Sequence, residues 1–354
     1  MAGIEYKGSL EKTVILIGLC LCLCGCGQEA KLSNVETGME AIAALDYRAA
    51  MQNFEAAREA GENLRLVARG MGIASIGLTD YASAIEYLEE CLSYSNGMIG
   101  DMDFDVNYYL ALAHCKSGNY ETAEQIYNAI LALRQGEMDA LFLRGNARLE
   151  LGRWEEAIRD FEQVIKTSPN DYGRLIEIYE VMAEHDLKEQ GKGYLETALS
   201  ERGNKMSAYE KGRISYYLED YNQACVYLEQ AKKLNTAEVF FYLGKAYEAT
   251  GDYNYAITNV YKKYLDSHAG DARLYNQLGL CYLQQKQYEL ALESFQSAMQ
   301  IPDNGMMQTL QFNEIVAYEY LGEYASAAAL MNQYLSRYPD DVAAAREYGF
   351  LSSR

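Results

Sequence analysis

Few residues of this sequence have the types and spacing that chemistry requires. The three histidines, His114, His185 and His268, are too far apart to place two metal ligands at helical spacing. His114 precedes Cys115, but adjacent residues of one helix point about 100° apart, so this imidazole cannot serve that thiol as a base. We expect a structural role for both side chains.

Three alternating aspartates, Asp101, Asp103 and Asp105, resemble the beginning of a calcium loop. Such a loop needs glycine at its sixth position and glutamate at its twelfth, where this chain has Val106 and Leu112. The alternative, which we favour, is that these carboxylates open a helix, whose dipole attracts negative charge at its N-terminus.

A glycine-rich segment at Gly191-Lys192-Gly193 lacks the preceding glycine and the following serine or threonine of a phosphate-binding loop. The sequence therefore offers no catalytic residues, no metal site and no cofactor site. We expect a protein that is not an enzyme.

A small residue recurs along the chain with nearly constant spacing. The successive intervals are 34, 39, 34, 34, 33, 32, 35 and 36 residues. The positions are Ala50, Ala84, Ala123, Ala157, Gly191, Ala224, Ala256, Ala291 and Ala327. A period of this length is typical of helical repeats that stack side by side. The one long interval, 39 residues, indicates an inserted loop at 93–103.

Each of these small residues has partners at fixed distances. An aromatic residue usually stands three residues before it, as Trp154 does before Ala157, and a bulky apolar residue stands four residues after it, as Phe161 and Val260 do. Positions four apart share one face of a helix. Twelve residues earlier there is usually a glycine inside a helical pattern, which suggests a close approach between two helices.

These residues resemble the tetratricopeptide repeat, whose motif combines an aromatic residue, Leu-Gly, Tyr, Ala, Phe and Pro over about 34 residues. The resemblance implies an all-α fold, a right-handed superhelical solenoid of about nine antiparallel helix pairs with a C-terminal capping helix. We predict the solenoid at 34–339, with a divergent fifth repeat at 171–203 where Tyr179, Lys188 and Gly191 replace motif residues. Residues 340–354 would form the capping helix and the tail.

The first residues have the character of an export signal. Val14 to Cys26 is apolar or small throughout and is shorter than the roughly 20 residues of a membrane span. The run Leu23-Cys24-Gly25-Cys26 resembles the lipobox of bacterial lipoproteins, which implies a signal peptide at 1–25, a lipid-modified Cys26 and a tether at 26–33. We therefore expect a protein that is lipid-anchored to the outer side of the cell membrane; an uncleaved signal anchor is the alternative.

Composition narrows the partners. The formal net charge of −20 disfavours nucleic acid and anionic lipid surfaces. Cys91, Cys115, Cys225 and Cys281 show no metal or disulfide spacing, so we expect buried free thiols, with a Cys91–Cys115 disulfide as the alternative.

In the family that the chain resembles, the first helix of each repeat lines a concave face. The resemblance therefore suggests ligand contacts by Tyr209, Arg213, Tyr216, Phe241, Lys245 and Asn276. Arg213 and Lys245 occupy equivalent positions of adjacent repeats and should stand side by side. Such a face would bind protein or peptide, and we expect a scaffold or assembly factor. Glycan or cell-wall binding through the tyrosine-rich face is the alternative.

Overall fold

The computed structural model describes residues 32–95, 97–302 and 304–353. Within these ranges the chain forms 19 helices and no strand, so the predicted all-α fold is confirmed. The chain divides into two compact units, one ending at Gly191 and one beginning at Lys192. The division falls inside the predicted fifth repeat.

The helices follow one another with short turns. Those that begin in the first unit are α1 (Asn34–Ala43), α2 (Tyr47–Glu59), α3 (Leu64–Gly77), α4 (Tyr81–Ser93), α5 (Asp101–Lys116), α6 (Tyr120–Leu133), α7 (Met138–Glu150), α8 (Trp154–Thr167), α9 (Tyr172–Glu184) and α10 (Lys188–Arg202). The second unit continues with α11 (Ala208–Tyr217), α12 (Tyr221–Ala231), α13 (Ala237–Ala249), α14 (Tyr253–Tyr255, Ala256–Tyr261 and Lys262–Leu265), α15 (Ala272–Gln284), α16 (Tyr288–Met299), α17 (Met307–Leu321), α18 (Tyr324–Arg337) and α19 (Val342–Leu351). In the described ranges, nine helix pairs and a capping helix result, as the period predicts.

The first helix of a pair packs on the second helix. The recurring pattern of small and bulky side chains in the repeat explains how. A Cβ added at Gly145 on α7 would lie 2.5 Å from a ring carbon of Phe161 on α8, and one at Gly279 on α15 would meet Phe295 at the same distance. The glycine therefore makes room for the bulky residue four positions after the alanine. Both rings are fully buried, which compensates for the poor helix propensity of glycine.

The seventh repeat departs from this rule. Counting four residues from Ala256 predicts Val260 beneath Gly244, but a Cβ at Gly244 would meet Tyr261 instead, only 2.0 Å away. The cause is local: Ala256–Tyr261 is π-helical, which adds a residue to the turn and rotates Tyr261 into the position of the bulky residue. Val260, which the spacing puts on the face of Ala256, is buried as well, but Tyr261 is the residue that packs beneath Gly244.

In the fifth repeat the sizes are exchanged between the two helices. Tyr179 stands on α9 where most other repeats have glycine, and Gly191 stands on α10 where they have alanine. A Cβ at Gly191 would lie 3.1 Å from a ring carbon of Tyr179, so the missing methyl group accommodates the larger partner. The helix pair is thus kept although the motif residues are lost.

The last helix, α19, covers the final pair. Asp341 caps it by accepting a hydrogen bond from the backbone N–H of Ala344. Leu351 is buried in one apolar cluster with Ile315 and Met331 of the preceding pair. This arrangement confirms the predicted capping helix and closes an apolar end that a stacked array exposes.

Candidate functional site

The alternating aspartates are used within the protein. Helix α5 begins at Asp101, where negative charge is favourable. Asp103 then binds Arg65 of α3 at 2.5 Å, and Asp105 binds Arg69 one turn further along that helix, also at 2.5 Å. These two carboxylates therefore join neighbouring repeats, as the helix-opening alternative allows and a calcium loop does not.

The cysteines and His114 are shielded from water to different degrees, and this shielding shifts the pKa values of His114 and Cys115. Burial lowers the pKa of His114 and raises that of Cys115 to about 11, so the thiol is protonated at neutral pH. Cys91, Cys115, Cys225 and Cys281 are all free thiols, so the Cys91–Cys115 disulfide alternative is wrong. Across the described residues, no cluster of histidine, cysteine and carboxylate side chains could hold a metal ion.

Cys26, the predicted signal peptide and most of the tether lie outside the described residues, so the lipid anchor stays a prediction. In the portion that is described, no helix combines the length and the apolar character that crossing a membrane requires.

The second unit carries a cluster of aromatic rings on two adjacent helices, α11 and α13. Tyr242 of α13 lies at its centre, 6.4 Å from the ring of Tyr209, 5.7 Å from that of Tyr216 and 5.4 Å from that of Phe241, measured between centroids. All three contacts are edge-to-face, the geometry that aromatic quadrupoles prefer. These four half-buried residues, together with Arg213 and Tyr217, form what we call the aromatic face.

Arg213 is the one charged residue of the aromatic face. Its guanidinium carbon lies 5.5 Å from the ring centroid of Tyr209 and 5.1 Å from that of Tyr242, so two rings flank the cation. Its Nε is buried and has no hydrogen-bond partner. Tyr217 and Tyr242 meet nearby, their hydroxyl oxygens 3.2 Å apart.

The surroundings of Arg213 keep it charged and keep Tyr209 neutral. Burial opposes the charge of Arg213, but the nearby hydroxyls of Tyr242 and Tyr209 outweigh it and raise the arginine pKa. Burial raises the pKa of Tyr209 to about 12, against the opposing influence of Arg213. At neutral pH the aromatic face is thus a positive charge among uncharged rings.

Phe241 stands beside a second arginine, Arg273 of α15, whose guanidinium carbon is 5.8 Å from the ring centroid. Unlike Arg213, Arg273 is neutralised: it binds Asp271 at 2.7 Å and Glu238 at 3.1 Å. The edge of the aromatic face therefore carries no uncompensated charge at this arginine.

Lys245 has a different environment from Arg213. The helices α11 and α13 are neighbours, but the rings of Tyr209 and Tyr242 flank the guanidinium of Arg213, whereas the charge of Lys245 acts on the thiol of Cys281 on α15. The predicted alignment of the two bases thus stays a prediction.

Asn276 is the exception among the predicted ligand residues, because it is only 2% exposed. Its side-chain oxygen accepts a hydrogen bond of 2.9 Å from Nδ2 of Asn313, which is fully buried on α17. The amide therefore links two repeats inside the unit and is not presented to a ligand in this structure.

Tyr242, the central ring, was not predicted from the sequence. The family positions assigned to the concave face include Phe241 and pass over the next residue. The signal was nevertheless present: Phe240, Phe241 and Tyr242 are consecutive, and three aromatic residues in succession on one helix cannot all enter the core. Phe240 is buried, and the other two are half-buried.

Comparison with known proteins identifies the family. The tetratricopeptide repeat family matches residues 69–138 and 110–172, 207–238, 238–270, 272–301 and 311–341. FK506-binding protein 59 of Drosophila melanogaster is 29% identical over 98 residues, which cover 26% of this chain and 22% of that protein. The chain thus spans less than a quarter of this relative's length.

Two solved structures are similar at low identity. A tetratricopeptide repeat protein from Parabacteroides merdae is 15% identical with a TM-score of 0.45, and the match covers 72% of this chain and 98% of that one. Yeast Tom70 is 12% identical with a TM-score of 0.46, over 86% and 77% of the respective chains. The family matches span more than half of the 354 residues, so this chain belongs to the tetratricopeptide repeat family.

Proposed function

We propose that this protein is a binding scaffold that holds a protein or peptide partner on its aromatic face. The observation that carries the proposal is the partial exposure of Tyr209, Tyr216, Phe241 and Tyr242 around Arg213. Aromatic residues and arginine are enriched where proteins bind one another, because large rigid side chains gain contact area at a small cost in entropy.

The same face has no chemistry to offer a substrate. The pKa of Tyr209 is raised to about 12, which is further from neutral pH than its ordinary value. The six residues of the face include no carboxylate and no imidazole that could act as an acid or a base. Binding without turnover is the function that these groups support.

A direct test is selection of a random peptide library on the full chain, held in mild detergent. We expect enrichment of related peptides, and loss of their binding by fluorescence anisotropy when Phe241→Ala or Tyr216→Ala is introduced. Leu290→Ala is the matched control, since Leu290 is 41% exposed on α16 of the same unit and lies outside the aromatic face. Failure to enrich any peptide, or equal binding by all variants, would contradict the proposal.

We further propose that the scaffold is anchored through lipid at Cys26 on the extracytoplasmic side of the membrane. The lipobox resemblance supports this proposal, and two acyl chains on one cysteine suffice for stable attachment. Cys26→Ser should move the protein from the membrane fraction to the soluble fraction, whereas the control Cys24→Ser should not. Retention of the Cys26→Ser protein in membranes would favour an uncleaved signal anchor instead.

A further inference from the structure

Arg213 differs from every other half-buried arginine in the described part of the chain. Each of the others has a carboxylate oxygen within 4.0 Å of its guanidinium: Arg58, Arg65, Arg69, Arg134, Arg144, Arg148, Arg174, Arg202 and Arg273. Arg213 has only rings and hydroxyls among its described contacts.

A shortage of acidic residues does not explain this exception. The chain has 51 aspartates and glutamates against 31 lysines and arginines, so a carboxylate is available at most positions. Glu238, which opens the neighbouring helix α13, is bound to Arg273. Partial burial of a charge without a counter-ion is unfavourable, and so is a buried Nε without an acceptor.

We propose that Arg213 binds a carboxylate of the partner segment held on the aromatic face; this inference rests on the function proposed above. The rings of Tyr209 and Tyr242 flank the guanidinium, and the hydroxyl of Tyr242 accepts a hydrogen bond from it. Its other N–H donors can bind a planar anion. A carboxylate there would supply the missing counter-ion in a partly dehydrated place, where an ion pair is stronger than in water.

The neighbouring residues define what accompanies the carboxylate. Phe241 and Tyr216 contact the same central ring, Tyr242, and offer apolar surface next to the cation. The partner segment is thus a peptide in which an acidic group adjoins an apolar or aromatic side chain. Because Arg273 is already neutralised by Asp271 and Glu238, Arg213 is the arginine of this region that selects the anion.

The test uses a peptide enriched by the library selection described above. We expect it to contain an aspartate, a glutamate or a free C-terminus, and replacing that carboxylate by an amide should weaken binding about ten-fold or more. Arg213→Gln should weaken binding of the acidic peptide by the same factor. It should not weaken binding of the amide peptide any further, so the four affinities form a closed double-mutant cycle. Amidating only the C-terminus distinguishes a terminal carboxylate from a side-chain one.

Arg202→Gln is the control, because Arg202 is also half-buried in the second unit but lies 3.7 Å from Glu201 and outside the aromatic face. It should leave the affinity for the acidic peptide unchanged. Circular dichroism of each variant shows whether it is folded, and Arg213→Lys, which keeps the charge but not the planar fork, should retain part of the affinity.

Three results overturn the inference. If enriched peptides bind equally well as acids and amides, the scaffold function stands but Arg213 is not the anion site. If no peptide is enriched, the proposed function fails and the inference with it. Retention of the chain on isolated cell wall without any peptide binding would replace both by glycan recognition.

Discussion

Two sites of partly buried arginines, one in each unit, are arranged differently. In the unit that ends at Gly191, Arg144 and Arg148 reach the same buried carboxylate, Asp160, at 2.6 and 2.7 Å, and Arg148 also binds Glu124 at 2.8 Å. In the unit that begins at Lys192, Arg213 has rings in place of a carboxylate. The ion pairs of the first arrangement link helices α6, α7 and α8. In the second arrangement the charge of Arg213 forms no ion pair that links helices of the described chain.

This contrast separates structural charges from charges kept for binding. A buried pair resists the loss of either partner, because the group left behind is desolvated and uncompensated. A charge without a counter-ion contributes little to the fold and is available to a ligand. Substitutions at the two kinds of position should therefore differ in their effect on stability.

The largest effect is expected at Asp160, which is 4% exposed. Asp160→Asn should lower the free energy of unfolding by about 3–5 kcal/mol, because Arg144 and Arg148 both lose their shared counter-ion. The urea midpoint, followed by circular dichroism, measures the change. A loss below about 1 kcal/mol would show that this network is not structural and would remove the contrast.

A compensated carboxylate of the second unit should show a smaller effect. Tyr261, fully buried in the π-helical turn, donates its hydroxyl to Glu248. Tyr261→Phe should cost about 1.5–3 kcal/mol, since a hydrogen bond to a charged group is lost and the ring is kept. Thermal unfolding of the variant would check this. Tyr255→Phe is the comparison, because the Tyr255 hydroxyl also donates to a carboxylate, that of Glu229, but at a half-buried position where the loss should be smaller. An unchanged melting temperature for Tyr261→Phe would mean that the hydroxyl is not needed.

Substitution of Glu319 should change the free energy of unfolding in the opposite direction, because its carboxylate has no counter-charge beside it. Its Oε1 is buried without a hydrogen-bond partner, and burial, followed by the charge of Glu347 on α19, raises its pKa to about 7. The unfolded chain releases this proton first as pH rises, so stability should fall between the ordinary pKa of 4.5 and about pH 7 and then level off.

Glu319→Gln should accordingly raise the free energy of unfolding by about 1 kcal/mol at roughly pH 8, a modest gain because solvent screens a partly exposed group. Below the ordinary pKa of 4.5 the variant and the parent should unfold at the same urea concentration. A gain that is independent of pH would show that the charge of Glu319 is not the cause.

The smallest change is expected at Arg213. Arg213→Gln should alter the free energy of unfolding by less than about 1 kcal/mol, because lost attraction to the two rings and relief from a partly buried charge oppose each other. A loss as large as that of Asp160→Asn would place Arg213 among the structural charges and weaken the case for a ligand.

The sequence predicted the repeated units well because their packing is local. A helix pair is specified by sizes at fixed intervals, so Gly145, Ala157 and Phe161 suffice to identify one. The phase of the pattern also predicted a helix pair in the fifth repeat, although the exchange of sizes between Tyr179 and Gly191 became visible only from their contact.

The candidate site was predicted less completely, because side-chain partners come from other repeats. Asn276 occupies a repeat position that the family exposes to ligands. Its side-chain amide is buried instead and bonds Asn313, which lies 37 residues later. Tyr242 was passed over although it organises the aromatic face. The spacing of residues within one repeat does not predict which side chains of the next repeat contact them.

By itself the sequence determined the fold class, the number of helix pairs and the capping helix, since these follow from local periodicity and nearest-neighbour packing. Only the tertiary structure decided that Tyr261 replaces Val260 beneath Gly244, that Asn276 is buried, and that Arg213 has rings instead of a carboxylate. The physical reason is that burial and charge compensation depend on which groups meet in space, and a repeating pattern fixes positions without fixing partners.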